Sequence, residues 1–540
     1  MKRFLNWKLA LIIIIFVAIL LRVFALDKIP GSLIPDELAL GYTSFSLLKT
    51  GADIHGNIFP ISFNVFGTAW TLIGYPFVDM IPQFFLGTND FSIRLPSALS
   101  GVIGVILVYF IAEILFSRNK KISLLAALVY AISPWNIYFS RLGLEYNLAL
   151  TVFLFGLLCF LRYVYVNNKK DSLLIFSVIL FSLTEFIYYP YVIFIPIFLI
   201  GLFFLFKSII IRNKKLPWVI AIFVFSTLLL VYIIFLGSIV EASTQSIFND
   251  RGVIYDRVEK FRTDNSNEPV FLQRILHTKY LGVPYQMAQN YASAFSPGFL
   301  FDRGGDKIER DIGYFGKLYL IDALFLLVGF AAIFYKREKT ILFLCLWLIM
   351  APIASAITKG APSSSRLFML MPLFTLIIAY GMNQLLISLR GNLIKKILLI
   401  FVTGLFLLNV VFFIDAYFIH LNYQRVRFLH YGYKQVVKIS KAYPDYNIVM
   451  RGPDNFPYIY FLFYNRYDPE KFRKEAEYYP PTNEGFLFVK SFGRYSFPWE
   501  IDYTKLNKKT IYIDDTGVDY RKNKIYLPSG EPILGYEIEN

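Results

Sequence analysis

Long apolar runs separated by short basic clusters dominate the pattern along this chain. A membrane-spanning helix needs about 20 mostly apolar residues. Runs of that kind fall near 8–26, 95–116, 122–139, 147–166, 172–188, 191–207, 216–236, 318–335, 340–357, 367–386 and 396–414, which predicts about eleven spans. A further apolar run near 70–86 is interrupted by Gly74, Pro76, Asp79 and Pro82. It reads as an interfacial or re-entrant piece.

The basic clusters test this scheme. With the N-terminus in the cytoplasm, the inside segments hold Lys2/Arg3/Lys8, Arg118/Lys120/Lys121, Arg162/Lys169/Lys170, Arg212/Lys214/Lys215, Lys336/Arg337/Lys339 and Arg390/Lys395/Lys396. Every cytoplasmic connection is then basic, as the positive-inside rule requires. Counting 70–86 as a span inverts everything after it and breaks the pattern. The first run follows Met-Lys-Arg and is too long for a signal-peptide core, so it reads as a retained anchor.

Three large pieces fall outside the membrane: the loops 27–94 and 237–317, and the tail from 415 onward. The tail carries short β-like runs, Tyr446-Asn-Ile-Val-Met, Gly485-Phe-Leu-Phe-Val and Thr510-Ile-Tyr-Ile, separated by Pro, Gly and Asp. The expected organisation is a multispan transmembrane domain, 1–414, followed by a small extracytoplasmic α/β domain, 415–540. No internal repeat is evident.

Composition agrees. Of 540 residues 56% are hydrophobic, too many for a soluble chain to hide. The 55 Phe and 38 Tyr suit interfaces and flat walls for sugars and prenyl chains, although AT-rich codon usage explains them as well. The net charge of +16 lies mostly in the topology clusters, so nucleic acid is not the expected partner. Cys159 and Cys345 lie inside apolar runs and read as packing residues.

The candidate chemistry sits in the outer loops. Asp36 and Glu37 follow Pro35 just outside the first span. Asp36 reads either as the N-cap of a helix that stops at Gly51, or as a general base that takes a proton from an acceptor hydroxyl. Glu145 lies in the short outside turn Ser140-Arg-Leu-Gly-Leu-Glu-Tyr. It either pairs with Arg141 or acts chemically. Arg94, Arg141, Lys359 and Arg366 lie at outer membrane ends, where a phosphate leaving group needs cations and interfaces need anchors. Asp53-Ile-His55 suits turn chemistry better than metal binding, and no metal or other cofactor is expected. There is no P-loop lysine motif and no loop large enough for a nucleotide-sugar domain.

The first loop, with Pro35-Asp36-Glu37, Gly41-Tyr42, Thr50-Gly51-Ala-Asp53-Ile-His55-Gly56 and Pro60, resembles bacterial membrane glycosyltransferases of the protein O-mannosyltransferase and aminoarabinose-transferase type. So do Phe91-Ser-Ile-Arg94-Leu-Pro96, Ser133-Pro-Trp135, Phe139-Ser-Arg141-Leu-Gly-Leu-Glu145, Phe295-Ser-Pro-Gly-Phe-Leu-Phe, Gly316-Lys-Leu-Tyr-Leu and Arg366-Leu before Pro372. Tyr431-Gly-Tyr and Leu462-Phe-Tyr464 to Asp468-Pro469 extend the resemblance into the tail.

The resemblance implies a C-type glycosyltransferase fold, a polyprenyl-phosphate-linked monosaccharide donor and inverting transfer to an acceptor hydroxyl on the outer face of the plasma membrane. It assigns the first-loop acid to Asp36, with Glu37 beside it. Relatives place a second acid, usually Asp, where Glu145 stands. Arg366, Arg141 and Arg94 become phosphate ligands. Tyr42, His55, Tyr188, Tyr189 and Tyr191 become wall residues for sugar or lipid, with interfacial anchoring as the plainer role of the last three. The acceptor is a protein, a glycolipid or a polysaccharide. A transporter or flippase, or a polymerase or ligase of lipid-linked sugars, is the alternative. Transporters favour midplane charges and repeats, which this chain lacks.

Overall fold

The computed structural model describes residues 2–539 apart from 65, 68–69, 167–170, 238–245, 250–255, 265–268, 306–309, 314, 335–338, 390, 392, 484 and 517. The basic residues Lys169, Lys170, Lys336, Arg337 and Arg390, used above for topology, lie outside the described set.

Helices α1 (Lys2–Val23), α2 (Pro35–Thr50), α3 (Gly74–Leu86), α4 (Asp90–Leu115), α5 (Lys120–Ile132), α6 (Pro134–Ser140), α7 (Tyr146–Tyr165), α8 (Asp171–Glu185), α9 (Pro190–Ile210) and α10 (Leu216–Gly237) form the first part of the chain. Later apolar helices lie at Asp322–Phe334, Lys339–Met350, Met371–Ser388 and Leu393–Asp415. Among the described residues six helical stretches are long and apolar enough to cross a membrane: Asp90–Leu115, Tyr146–Tyr165, Pro190–Ile210, Lys339–Ala356, Phe368–Ser388 and Leu393–Gln424. The pair α5 and α6, bent by 54°, makes a seventh if counted as one span.

The chain is a helical, multi-pass membrane protein, but the expected count of eleven spans is not reached by this measure. Helix length explains part of the difference. Helix α8 has 15 residues and the helix Asp322–Phe334 has 13. At 1.5 Å per residue each falls short of a ~30 Å hydrocarbon layer.

Two compact units are distinguished. The first comprises residues 1–18, 101–138 and 149–413; the second comprises 19–100, 139–148 and 414–540. The tail thus clusters with the first loop and with the turn that carries Glu145.

In the first unit the helices Asp322–Phe334 and Met371–Ser388 approach at backbone distance. A Cβ on Gly381 would lie 1.9 Å from the Phe325 carbonyl oxygen. Small residues permit this contact, which suits lipid, where van der Waals packing takes over from the hydrophobic effect. The Phe153 ring is a second centre, 5.5–5.8 Å from the rings of Phe181, Tyr191, Phe194, Phe198 and Trp347.

In the second unit α3 buries Tyr75, Pro76, Asp79 and Gln83 and exposes Phe77, Val78, Ile81, Phe84 and Phe85. Its polar face meets protein and its apolar face points outward. At 13 residues it is too short to span, which fits an interfacial helix. A small hairpin, β1 (Ser62–Asn64) and β2 (Trp70–Leu72), precedes it.

The tail forms a mixed sheet from β3 (Asn447–Met450), β4 (Glu477–Tyr478), β5 (Val489–Phe492), β6 (Tyr495–Ser496), β7 (Thr510–Asp514), β8 (Asn523–Tyr526) and β9 (Pro532–Glu539). Their spatial order is β4-β5-β6-β3-β7-β9-β8. Strand β3 runs parallel to β6 and to β7; the other pairs are antiparallel. The almost wholly buried helix Pro457–Tyr464 packs against α2.

Candidate functional site

In the second unit the acids of the first loop occupy the opening turn of α2. Ile34 is the N-cap, Pro35 the first helical residue, Asp36 the second and Glu37 the third. The N-cap reading of Asp36 is therefore corrected: Glu37 performs the capping, its Oε2 accepting the Ile34 N–H at 3.1 Å. Pro35 suits the first helical position because it has no N–H to satisfy. Gly51 ends α2 as expected, with φ 70° and its N–H donating to Leu47 O at 2.9 Å.

Glu37 is fully buried and both its oxygens are engaged. Oε1 accepts from Arg94 Nε at 2.9 Å and from the Gly143 N–H at 2.6 Å. Oε2 also accepts from Arg94 Nη2 at 3.3 Å. The Arg94 guanidinium donates further to Leu26 O (3.0 Å), Pro30 O (2.8 Å) and Ser32 O (2.7 Å). All five of its N–H groups are thereby spent within the protein. It clasps the 26–32 loop, and a phosphate ligand role there would require giving up these bonds.

Arg141 is likewise fully buried. Its Nη1 donates to Leu21 O and Arg22 O, both at 3.1 Å, at the C-terminal end of α1. Its Nη2 donates to Ala25 O (3.1 Å) and Ile29 O (2.9 Å). A cation at a helix C-terminus satisfies orphan carbonyls and complements the dipole. The Phe418 and Tyr417 rings lie 5.0 and 5.7 Å from the guanidinium. Burial pushes Arg141 below its ordinary pKa. Two arginines expected at a phosphate are thus built into the fold.

The Glu37–Gly143 bond has a positional consequence. Glu37 is adjacent to Asp36, and Gly143 is two residues from Glu145. The bond therefore draws the two candidate acids' backbones to one place. A Cβ on Gly143 would lie 2.2 Å from Ile93 Cγ2, so a larger residue cannot sit there without displacement. The buried Tyr75 phenol, which donates to Ile93 O at 2.6 Å, is pushed well up by burial first, then by Asp79, Glu37 and Glu145. The Tyr460 phenol, donating to Leu33 O at 2.9 Å, is raised by burial first, and among its further causes are Glu37 and Asp36. Asp36 and Glu145 are themselves half-buried.

Tyr42 is buried and its hydroxyl donates to Tyr467 O at 2.9 Å, tying α2 to the tail rather than presenting a wall. His55 is exposed, its Nε2 2.5 Å from Asn64 O. Asp53 accepts from the His55 and Asn57 N–H groups at 2.9 Å each, which is the expected turn chemistry.

Sequence reasoning missed Asp79, which is fully buried on α3 and hydrogen-bonded to Gln83 Nε2 at 2.6 Å. Burial pushes its carboxyl up to about 7, against the opposing hydrogen bonds from Gln83 and Ser44. The signal was present as an acid inside an apolar run.

The first unit holds the remaining candidates. Tyr191 is packed in the Phe153 cluster, 6.3 Å from the ring of half-buried Tyr188; Tyr189 is also half-buried. The Tyr191 placement is that of a core aromatic. Arg366 is half-buried and donates through Nη1 to Thr358 Oγ1 and Lys359 O, both at 2.7 Å.

Around Lys317 three of the sequence motifs come together. Its ammonium contacts Asp311 and lies 5.9 and 6.0 Å from the Trp135 and Phe299 rings. Asp311 also accepts from Ser364 Oγ (3.0 Å) and the Gly305 N–H (3.1 Å), and Trp135 Nε1 donates to Ser364 O (3.1 Å). Arg310 Nη1 donates to Ser365 Oγ at 3.1 Å. Burial drives the Lys317 ammonium down to about 7. The motifs contained Trp135, Phe299 and Lys317, but their convergence, and the part taken by Ser364 and Ser365, is visible only in three dimensions.

Residues 76–234 match the family model described as dolichyl-phosphate-mannose-protein mannosyltransferase. The structure is similar to that of ArnT from Cupriavidus metallidurans bound to undecaprenyl phosphate, with a TM-score of 0.54, 10% identity and 97% of each chain covered. It is also similar to the oligosaccharyltransferase AglB from Archaeoglobus fulgidus in complex with an inhibitory peptide and a dolichol-phosphate, with a TM-score of 0.52 and 14% identity. That match covers 84% of this chain, which spans 63% of the oligosaccharyltransferase. A comparison with curated protein sequences gives no match. At these identities the structural likeness concerns the fold. The chain has the fold of the C-type membrane glycosyltransferases and carries, over residues 76–234, a segment matching the dolichyl-phosphate-mannose-protein mannosyltransferase family.

Proposed function

We propose that this protein transfers a monosaccharide from a polyprenyl-phosphate-linked donor to an acceptor hydroxyl on the outer face of the membrane, with inversion. The observation that carries the reading is the Glu37 latch. A fully buried carboxylate, held by Arg94 and the Gly143 N–H, fixes Asp36 in the first turn of α2 beside the turn that carries Glu145. A general base needs such rigid placement, because catalysis by positioned groups is lost when they wander by an ångström. The polyprenyl-phosphate ligands of the ArnT and AglB structures support the choice of donor class.

In this reading Asp36 accepts the proton of the acceptor hydroxyl. The hydroxyl oxygen attacks the anomeric carbon opposite the phosphate. The carbon–oxygen bond to phosphate breaks, and its electron pair leaves with the polyprenyl phosphate. Glu145 orients the acceptor. Glu37 serves as the latch and does not touch the reacting atoms. Of the three arginines, Arg366 is kept as a phosphate ligand, because it alone is not fully buried. The chemistry requires no metal, since the phosphate is already a good leaving group.

The test uses purified full-length protein with a panel of polyprenyl-phosphate sugars and a panel of hydroxyl acceptors. Release of polyprenyl phosphate together with a glycosylated product of inverted anomeric configuration supports the reading. Donor binding without release under any acceptor condition, or retention of configuration, overturns it.

A further inference from the structure

The sheet of the tail has a topological switch point. Taken in chain order, its parallel strands β3, β6 and β7 lie in space as second, first, third: β6-β3-β7. From β3 the chain goes first to one side and then crosses to the other. In open sheets of this kind ligands bind in the crevice outside the carboxyl ends of the strands at that point.

Three strand exits meet there. Arg451 follows β3, Asp515 follows β7, and Trp499 lies three residues beyond β6. Backbone bonds hold them side by side: the Arg451 N–H donates to Ile513 O at 3.0 Å and the Gly452 N–H to Pro498 O at 3.1 Å. Asp514 forms a satisfied floor, accepting from Tyr503 OH at 3.0 Å and from the Thr516 N–H and hydroxyl at 2.8 Å. Above it Arg451 Nη1 lies 2.9 Å from Asp515 Oδ1. Asp454 is exposed on the turn after β3. Its Oδ1 lies beside Gly452, 3.4 Å from where a Cβ on that glycine would stand. Trp499 is held by Phe488 (5.4 Å, edge-on) and Tyr479 (5.9 Å), yet is 45% exposed.

We propose that this crevice is a saccharide-binding site. A fixed, half-exposed indole offers a flat face to the apolar side of a pyranose ring. Asp454 and Asp515 accept hydrogen bonds from ring hydroxyls, and Arg451 donates to a ring or hydroxyl oxygen. Arg451 and Arg521 are both paired with carboxylates there, at Asp514 and Asp515, and Asp454 adds a further acid, which selects a neutral sugar over a phosphorylated or carboxylated one. On the transferase reading, the site holds the saccharide part of a glycosylated acceptor or product. Binding itself is independent of that reading.

The experiment is saturation-transfer difference NMR on the full-length protein in lipid nanodiscs, with mannotriose, chitotriose and cellotriose as probes and a neutral Ser/Thr-rich peptide as control. At least one trisaccharide is expected to bind. Trp499→Ala and Asp515→Asn should each weaken it by about tenfold or more, the loss expected for an interface anchor. Both variants should stay folded by size-exclusion chromatography, and polyprenyl phosphate release should stay unchanged. Absence of trisaccharide binding overturns the proposal, as does equal binding by the variants or binding of the peptide alone. Trisaccharide binding at Trp499 in a protein that releases no polyprenyl phosphate would leave this site standing and remove the transferase reading.

Discussion

Glu37→Gln separates the latch from the base. The substitution keeps shape and one acceptor oxygen but replaces the other with an amide that donates. If that amide takes the Oε2 position, it faces two donors, Ile34 N–H and Arg94 Nη2. The Arg94 guanidinium is left buried without its counter-charge. Breaking a buried pair in this way costs about 3–5 kcal/mol. For a unit of roughly 220 residues, 1 kcal/mol moves the melting temperature by about 2–4 °C. The expected fall is therefore about 6–20 °C. Asp36→Asn serves as the control. It removes a half-buried first-turn acid, a loss of about 0.3–1 kcal/mol from the helix dipole. The assay is thermal unfolding in detergent followed by size-exclusion chromatography, with polyprenyl phosphate release per folded molecule measured well below both transitions. If Glu37 is only the latch, Glu37→Gln melts early and releases product more slowly without losing release, because Asp36 is still present but less firmly held. An unchanged melting temperature with lost release would refute that role and make Glu37 a chemical participant.

Further outcomes follow from the same geometry. Gly143→Ala drives a Cβ into Ile93 and should cost about 1–3 kcal/mol by overpacking, read as earlier melting with reduced transfer. The Asp79 carboxyl titrates near 7 when folded and near 4 when unfolded, so the folded state holds the extra proton between these values. Stability should fall as pH rises from about 4 to 7 and level off above, by up to roughly 4 kcal/mol, and Asp79→Asn should flatten that profile. Lys317→Met leaves Asp311 buried against Ser364 without its cation and should destabilise by about 3–5 kcal/mol. Adding Asp311→Asn should recover part of that loss, with a non-additive double-mutant cycle as the readout.

Local pattern made much of the fold legible. Hydropathy located six of the spans, and the stop at Gly51 followed from its place after an apolar stretch. The β-like runs at 446–450 and 510–513 became β3 and β7, whereas the Gly485 run yielded a strand only from Val489. The roles of the charged residues were less legible. Arg94 at the outer end of a span looks the same in sequence whether it faces a phosphate or loop carbonyls. Its partners lie more than 55 residues away, beyond the reach of spacing arguments. Glu37 and Asp36 are neighbours with opposite surroundings, because successive helical residues point about 100° apart. Among the described residues the count of eleven is not confirmed for a related reason: hydropathy measures a run, while the helices within some runs end sooner.

Whether Asp36 is the base of a lipid-donor glycosyltransferase is decided by single-turnover release of polyprenyl phosphate from a bound donor, with wild type and Asp36→Asn at saturating acceptor. With Asp36 as the base, the two proteins bind donor equally and release falls at least ~100-fold in the variant, the low end of what a positioned base contributes. Wild-type release from Asp36→Asn would contradict that role and leave Asp36 a residue of the helix start.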